Sequence, residues 1–194
     1  MKKITTLWLL FLLVSGISLS FGANITKVDG DSIPYLSGWN KERVLAFAKG
    51  SRPNPSEYLA ASYLAEHSEA FKVGAAYLVP KSVLDKYGRK LLGRPDGQFV
   101  MSNAQMNQLM SDCKGSLSYV ETQLGIPAGS WAGKEIVRID IPDPNSLHFR
   151  MPTGNEGGAN NLWLPGGKLP TGFWEAVIDP IPEGKYYETL INLK

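Results

Sequence analysis

The sequence predicts an α+β fold in which N-terminal helices precede a mostly antiparallel β-sheet core. Helical periodicity dominates the first half of the chain, whereas short β-branched or alternating runs separated by Pro and Gly turns dominate the second half. Helices followed by strands, rather than the two alternating, are typical of α+β domains. With 194 residues, of which 43% are hydrophobic and 10% aromatic, the chain can build one domain with a substantial core.

The N-terminus has the pattern of a secretory signal peptide. Two lysines precede an apolar run at residues 7–14, and small residues follow at Ser20 and Gly22. We expect cleavage after Gly22 and export to the periplasm or the medium. The apolar run is short for a membrane-spanning helix, so no membrane anchor is expected after cleavage.

The predicted organisation therefore has three parts. Residues 1–22 are the signal peptide, residues 23–40 a polar leader or linker, and residues 41–194 a single globular domain. No internal repeat or low-complexity run subdivides that domain.

Charge and composition exclude several classes of partner and cofactor. Removing the signal peptide takes away two of the 20 basic residues and none of the 18 acidic ones, which leaves 18 of each. Nucleic-acid-binding domains usually show a basic excess, so no nucleic-acid partner is expected. Cys113 is the only cysteine, and the two histidines, His67 and His148, fall on separate predicted elements. We therefore expect no intrachain disulfide, no metal site and no cofactor.

Secondary structure follows from periodicity and turn signals. Helices are predicted at residues 41–48, 56–71, 81–87, 103–113 and 116–124. Strands are predicted at residues 75–79, 135–141, 146–151, 162–164, 173–178 and 185–192. The sequence Pro95-Asp96-Gly97 predicts a tight turn between two further strands, with Arg94 and Phe99 on its flanks.

The stretch from residue 151 to 178 is the strongest candidate for a site. It holds six glycines, and between them stand Asn155, Glu156 and Asn161, with Trp163 and Trp174 beside them. A glycine- and amide-rich loop flanked by Trp suits a small-molecule site, because glycine lets the backbone approach a ligand closely. The competing interpretation is a pair of hairpin turns made of ordinary turn residues.

Carboxylate, guanidinium and aromatic groups provide the candidate chemistry. Glu175 opens a predicted strand, from which its side chain would project into a cleft under the glycine-rich loop. The Arg94 guanidinium suits a phosphate or carboxylate, and Phe99 could stack on a base or pyridine ring. The alternatives are a cross-strand ion pair between Glu175 and Arg138, a solvated Arg94, and ordinary core packing of the two tryptophans.

These residues are similar to those of a known family. The sequence Ile-Pro-Ala-Gly-Ser-Trp at 126–131, the strand at 136–141 ending in Pro142, the loop at 154–161 and Leu-Pro at 164–165 resemble the second half of tuberculosis necrotizing toxin domains. That family consists of secreted NAD glycohydrolases and lies near the ADP-ribosyltransferase fold class, so the resemblance implies a split pair of sheets. The chain also resembles C-terminal modules of bacterial polymorphic toxins, which implies an immunity protein as a candidate partner.

The resemblance, which covers residues 77–178, implies roles for single residues. Arg94 would bind the phosphates of NAD, Phe99 would support the nicotinamide end, and Asn161 stands where the family has a catalytic Gln. Asn161 is one methylene shorter than that Gln, the family's second Arg has no clear match, and Ile136 replaces its His. An alternative register places Lys86-Tyr87-Gly88 on the Arg turn. Transferase relatives use a Glu on a late strand, for which Glu175 is the candidate.

Together, the residues and the resemblance predict a secreted bacterial toxin-like enzyme that cleaves the nicotinamide–ribose bond of NAD, as a glycohydrolase or an ADP-ribosyltransferase, with NAD as substrate rather than cofactor. The expected catalytic residues are Glu175, Asn161 and Arg94. The expected substrate-binding residues are Phe99, Arg138, Asn155, Glu156, Trp163 and Trp174. One alternative is a metal-independent ribonuclease that uses Glu175, Arg138 and His148. Another is a non-catalytic exported binding domain with Trp163 and Trp174 in its core.

Overall fold

A five-stranded antiparallel sheet organises the chain. The structure is a computed structural model, and it describes residues 33–194. The helices are α1 (Lys41–Leu45), α2 (Pro55–Tyr58), α3 (Ala61–Ala70), α4 (Lys81–Tyr87), α5 (Asn103–Cys113) and α6 (Leu117–Gln123). The strands are β1 (Ala75–Pro80), β2 (Leu91–Leu92), β3 (Gln98–Ser102), β4 (Ile136–Ile141), β5 (Glu175–Ile178), β6 (Ile181–Pro182) and β7 (Tyr187–Ile191). The predicted α+β class is confirmed.

The main sheet has the order β5-β3-β1-β4-β7, and β2 pairs with β6 in a separate two-stranded sheet. All the strand pairs within the described part of the chain are antiparallel. Side chains alternate across a strand, and each of the two faces of β1 packs in a hydrophobic cluster of its own. Ala75 and Tyr77 belong to one hydrophobic cluster, and Ala76 and Leu78 belong to another.

A third hydrophobic cluster joins the N-terminal helices to the glycine-rich loop. Tyr58 and Tyr63 of the helices pack with Met151 and Trp163 of the loop region. Ile33, Tyr35 and Trp39 also pack against this cluster, although the sequence places them in the leader. The compact unit accordingly runs from Ile33 to Lys194.

The predicted helix at 56–71 is wrong as one element, because it divides into α2 and α3. Leu59 and Ala60 are extended between them, with ψ of 147° and 140°. Leu59 pairs with Tyr35, and the amide of Ala60 donates to the carbonyl oxygen of Pro34 at 3.1 Å. Backbone pairing with the preceding segment therefore overrides the helical propensity of this sequence.

Two predicted strands are also wrong. Residues 144–147 form a 3-10 helix, because Pro144 starts it and the Asp143 carboxylate accepts from the amide of Ser146. Only Arg150 of the predicted strand at 146–151 pairs with the sheet, through Val177. Residues 162–164 form no strand, and the Asn160 carbonyl accepts from the amide of Trp163 at 3.1 Å, which closes a turn over residues 160–163.

The turn at Pro95-Asp96-Gly97 forms, but it does not close a hairpin. Strand β2 precedes it and pairs with β6, whereas β3 follows it and pairs with β1 and β5. Gly97 has a φ of +125°, and a Cβ there would collide with Val177. The turn therefore packs tightly on β5 and holds Arg94 and Phe99 on either side of it.

Two predictions concern the termini and the membrane. The predicted signal peptide at residues 1–22 lies outside the described residues. From residue 33 onwards, no helix combines the length and apolarity needed to cross a bilayer.

Candidate functional site

The candidate site is a cleft of about 260 Å³ between the glycine-rich loop and the sheet. A deeper cavity of about 140 Å³ adjoins it beneath α5 and α6. Five residues border both spaces: Gln98, Phe99, Leu124, Leu169 and Glu175. Glu175 therefore lies at the junction of the cleft and the deeper cavity.

The backbone of Glu175 is fixed on both sides. Its residue pairs with Met101 of β3, and its amide donates to the carbonyl oxygen of Gly167 at 2.8 Å. Its own carbonyl oxygen lies 2.8 Å from Nε2 of His67. These contacts hold the carboxylate at the start of β5, facing the cleft rather than bulk solvent.

The environment of Glu175 favours the neutral carboxyl. Burial, and secondarily the negative charge of Glu156, raises the pKa of Glu175 to about 7. A carboxyl with such a pKa exchanges its proton near neutral pH, which is what a general acid or base requires. The position in a cleft and the perturbed pKa together mark it as a functional candidate.

His67, to which the sequence assigned no role, supports this position. It is only 2% exposed, and its ring packs against Phe71, Phe149 and Trp174 at centroid distances of 5.2 to 5.5 Å. Burial lowers the pKa of His67, so the neutral ring donates from Nε2 to the Glu175 carbonyl oxygen. The spacing of Tyr63, His67 and Phe71 along one helical face was the available signal for its burial.

Trp174 packs behind the cleft and does not line it. Its amide donates to Oε1 of Gln105 at 2.6 Å, and its ring packs on Tyr63 at 5.5 Å. Nζ of Lys168 lies 4.4 Å from the centroid of the same ring. Trp174 does not border the cleft or the deeper cavity, so its described contacts are those of packing.

Asn155 and Glu156 build the loop instead of lining the cleft. The Asn155 side chain accepts from the amides of Gly50 and Arg52 at 2.8 and 3.1 Å and donates to the Arg52 carbonyl. The buried Glu156 carboxylate accepts from the amide and hydroxyl of Thr153 and from the amide of Gly154, at 2.8 to 3.1 Å. Both side chains thereby fix the loop that forms one wall of the site.

Trp163 and Phe99 provide aromatic walls. Trp163 is 6% exposed, borders the cleft, and lies under the guanidinium of Arg52, whose Cζ is 4.5 Å from the ring centroid. Phe99 faces Gly158, where an added Cβ would sit 3.0 Å from the ring. Glycine at this position therefore lets the loop lie directly against Phe99.

Arg94 lies at the mouth of the cleft, with 56% of its side chain exposed. Its Nε donates to Asp96 at 3.2 Å, and Asp96 also accepts from the amide of Gly157. The bond through Nε leaves the two terminal guanidinium nitrogens to face an anion. Asn160 lies on the same rim, with its Oδ1 accepting from the amide of Leu162 at 2.8 Å.

Two further predicted residues lie away from the cleft. Asn161 is exposed and does not border it, whereas its neighbour Asn160 does. Arg138 is paired with Asp140 at 2.7 Å and also donates to Asn103. The alternative ion pair between Arg138 and Glu175 is therefore wrong, because the acid on Arg138's own strand takes its place.

A buried acid that the sequence analysis did not single out fixes the backbone of a loop beside the deeper cavity. Glu121 is 2% exposed and accepts from the amides of Gly129 and Trp131, both at 2.7 Å. Trp131 borders that cavity, so Glu121 anchors a loop that forms part of its wall. Over residues 33–194, no cluster of three or more His, Cys, Asp or Glu side chains could hold a metal ion.

A scan against protein-family models gives no match for this chain, and a search of curated proteins likewise finds none.

Proposed function

We propose that the protein cleaves the nicotinamide–ribose bond of NAD, with the carboxylate of Glu175 as the catalytic group. The observation that carries the proposal is the position of Glu175, a carboxyl with a pKa of about 7 at the junction of two cavities walled by aromatic and apolar side chains. A general base acts best when its pKa lies near the working pH and when it stands within reach of the substrate, as a group that borders both cavities does.

The proposed reaction needs little covalent chemistry from the protein. The bond between ribose C1′ and the pyridine nitrogen breaks, and its electron pair neutralises the positive charge of the pyridinium. Water forms the new bond to C1′ and gives one proton to Glu175, which then releases it to solvent. The products are nicotinamide, ADP-ribose and a proton. The ionised Glu175 also stabilises the positive charge that develops on the sugar ring.

The neighbouring groups have distinct proposed roles. Phe99 and Trp163 would flank the nicotinamide and its ribose, since both border the cleft beside Glu175. Arg94 at the mouth would bind the diphosphate with its terminal guanidinium nitrogens. The amide role that the resemblance implies for Asn161 suits Asn160 better, because Asn160 is the one on the rim of the cleft.

Hydrolysis and ADP-ribosyl transfer differ only in the group that attacks C1′. The cleft is open at Arg94, so either water or a side chain of another protein could approach the same carbon. Both reactions release nicotinamide, and only hydrolysis releases free ADP-ribose in equal amount. Quantifying the two products therefore assigns the reaction.

The alternatives have less support from the described residues. Arg138 and His148, which a ribonuclease would combine with Glu175, do not border either cavity that Glu175 borders. A non-catalytic domain accounts for the buried Trp163 and the packing of Trp174, but it does not account for a half-buried carboxyl with a raised pKa at a cavity junction.

The proposal is tested by incubating the purified protein with NAD and measuring nicotinamide. Glu175→Gln should lower the rate by about 10²–10⁴-fold, as expected for loss of a general base. Glu183→Gln, at an exposed turn, is the matched control and should leave the rate unchanged. The ribonuclease alternative would replace the proposal if no nicotinamide is released and the protein cleaves RNA instead. In that case Glu183→Gln should keep the RNA-cleaving activity and Glu175→Gln should lose it.

Export is proposed on the N-terminal sequence alone. The expected observation is that protein recovered from the periplasm or the medium starts at Ala23, as N-terminal sequencing would show. A full-length chain confined to the cytosolic fraction would contradict it.

A further inference from the structure

Beside the cleft lies a further cavity of about 470 Å³, here called the outer cavity, between α4, β2 and the Arg94 turn. Three large apolar side chains that border it are solvent-exposed: Tyr87 at 73%, Leu91 at 58% and Val83 at 40%. The hydrophobic clusters of the fold do not include them. Adjacent exposed apolar groups around a concavity are typical of a binding surface.

The outer cavity adjoins the two spaces that Glu175 borders, because it shares wall residues with both. Arg94 borders both the cleft and the outer cavity, and Gln98 borders these two and the deeper cavity as well. Arg94 thus stands between a chamber that contains the catalytic carboxylate and a chamber with an exposed aromatic ring. A ligand that fills both chambers must carry its anionic part past Arg94.

The charges around the outer cavity suit such a ligand. Nζ of Lys86 lies 4.9 Å from the centroid of the Tyr87 ring. The acid nearest on the same helix, Asp85, is neutralised by Lys81 at 2.8 Å and by Arg89 at 3.1 Å. The carboxylate of α4, that of Asp85, is therefore paired, so it does not repel an anion that lies between Tyr87 and Arg94.

Size gives a further reason for a two-chamber ligand. Small-molecule sites usually measure about 300–1,000 Å³. The cleft, at about 260 Å³, is below that range, whereas the outer cavity, at about 470 Å³, lies within it. A substrate that exceeds the volume of the cleft would therefore need the neighbouring chamber as well.

We infer that the outer cavity binds the adenosine half of the dinucleotide, with the adenine against Tyr87 and Leu91 and the diphosphate at Arg94. This inference rests on the proposed function, because it places the second half of the same substrate. It adds that the protein should prefer the dinucleotide NAD to nicotinamide mononucleotide. Tyr87 and Leu91 then determine specificity, whereas Glu175 acts on the bond that breaks.

The test measures binding of AMP, ADP-ribose and nicotinamide mononucleotide by titration calorimetry, separately from turnover. Tyr87→Ala should weaken AMP and ADP-ribose binding about tenfold, within the range expected for loss of one base–aromatic stack. Leu91→Ala should weaken them in the same direction. Both variants should also reduce the preference for NAD over nicotinamide mononucleotide in kcat/KM.

Two matched controls are available on strand β7. Tyr187 is 69% exposed and Leu190 is 59% exposed, and neither borders the cleft or the outer cavity. Tyr187→Ala and Leu190→Ala should bind AMP and ADP-ribose as the wild type does. Because all four side chains are exposed, unchanged thermal melting should show that the variants fold.

The outcomes separate this inference from the proposed function. If AMP and ADP-ribose bind equally well to wild type and Tyr87→Ala, or bind to neither, the outer cavity is not the adenosine subsite. If they bind in a Tyr87-dependent manner but NAD is not cleaved, the proposed reaction fails and the nucleotide subsite stands.

Discussion

Nε2 of His67 lies 2.8 Å from the backbone carbonyl oxygen of Glu175. Helix α3 thereby holds the first residue of β5, although 108 residues separate the two along the chain. The contact joins the N-terminal helices to the proposed catalytic strand. A neutral, buried imidazole is the donor, so the contact is sensitive to acid as well as to mutation.

Substitution of His67 should reveal this sensitivity. Burial lowers the pKa of His67 below its usual value of 6.5, so folding favours the neutral ring. Its stabilising contribution is complete above about pH 6.5 and is lost as pH falls. His67→Gln retains a donor but does not titrate, so its free energy of unfolding should decline less than that of the wild type between pH 8 and pH 5. Urea unfolding at both pH values measures this, and identical declines would contradict it.

Glu175 should have the opposite effect on stability. Its pKa is raised from 4.5 to about 7, so folding favours the protonated carboxyl. The protonated carboxyl contributes about 3 kcal/mol to the free energy of unfolding. This contribution is complete below about pH 4.5 and is lost as the pH rises through 7. Glu175→Gln should therefore be more stable than the wild type at pH 8, by more than at pH 5. Unfolding by urea measures the difference, and a gap that does not grow with pH would contradict the assigned environment.

Glu156 should affect the pKa of the same carboxyl group. Its negative charge contributes to the raised pKa of Glu175. Glu156→Gln removes the charge, so the pKa of Glu175 should fall and the acid limb of the activity profile should move to lower pH. NMR titration of the Glu175 carboxyl carbon reads this shift directly. Glu183→Gln, the exposed control, should leave the titration in place, and an equal shift in both variants would argue against the coupling.

Arg94 should act on binding more than on the chemical step. Arg94→Ala should raise KM for NAD about 10- to 100-fold, in line with the loss of a charge-assisted contact of about 1.5–3 kcal/mol. Arg94→Lys keeps the charge but not the planar pair of donors, so it should restore only part of the affinity. Steady-state kinetics with NAD at several salt concentrations distinguishes the variants. A fall in kcat with unchanged KM would assign Arg94 a different role.

Local sequence signals identified most strands of the sheet because those strands carry strong apolar runs. Strands β1, β4, β5 and β7 match the predicted ranges at 75–79, 135–141, 173–178 and 185–192, with ends that differ by at most two residues. The errors occur where tertiary contacts or caps override local propensity. Leu59 leaves the helix to pair with Tyr35, and Asp143 with Pro144 starts a 3-10 helix in a segment that reads as a strand.

The site was only partly predictable from the sequence. Glu175, Arg94, Phe99 and Trp163 were expected near one cleft, and all four border it. Asn155 and Glu156 instead bind the backbone of their own and a neighbouring loop, because turns rich in glycine leave many amides for such side chains to satisfy.

The residues beneath the cleft were not predictable in this way. The partners of Glu175 and Trp174, His67 and Gln105, lie 108 and 69 residues away in sequence. Their roles depend on long-range packing, of which a single sequence contains no direct signal.

The rate of nicotinamide release from NAD as a function of pH tests the central claim most directly. If the ionised carboxylate of Glu175 is the catalytic group, kcat/KM should rise with pH and level off above a midpoint near 7. Glu175→Gln should abolish this rise together with most of the activity. No nicotinamide at any pH between about 6 and 9, with or without a cell lysate as acceptor, would contradict the account, as would a Glu175→Gln variant with the wild-type profile.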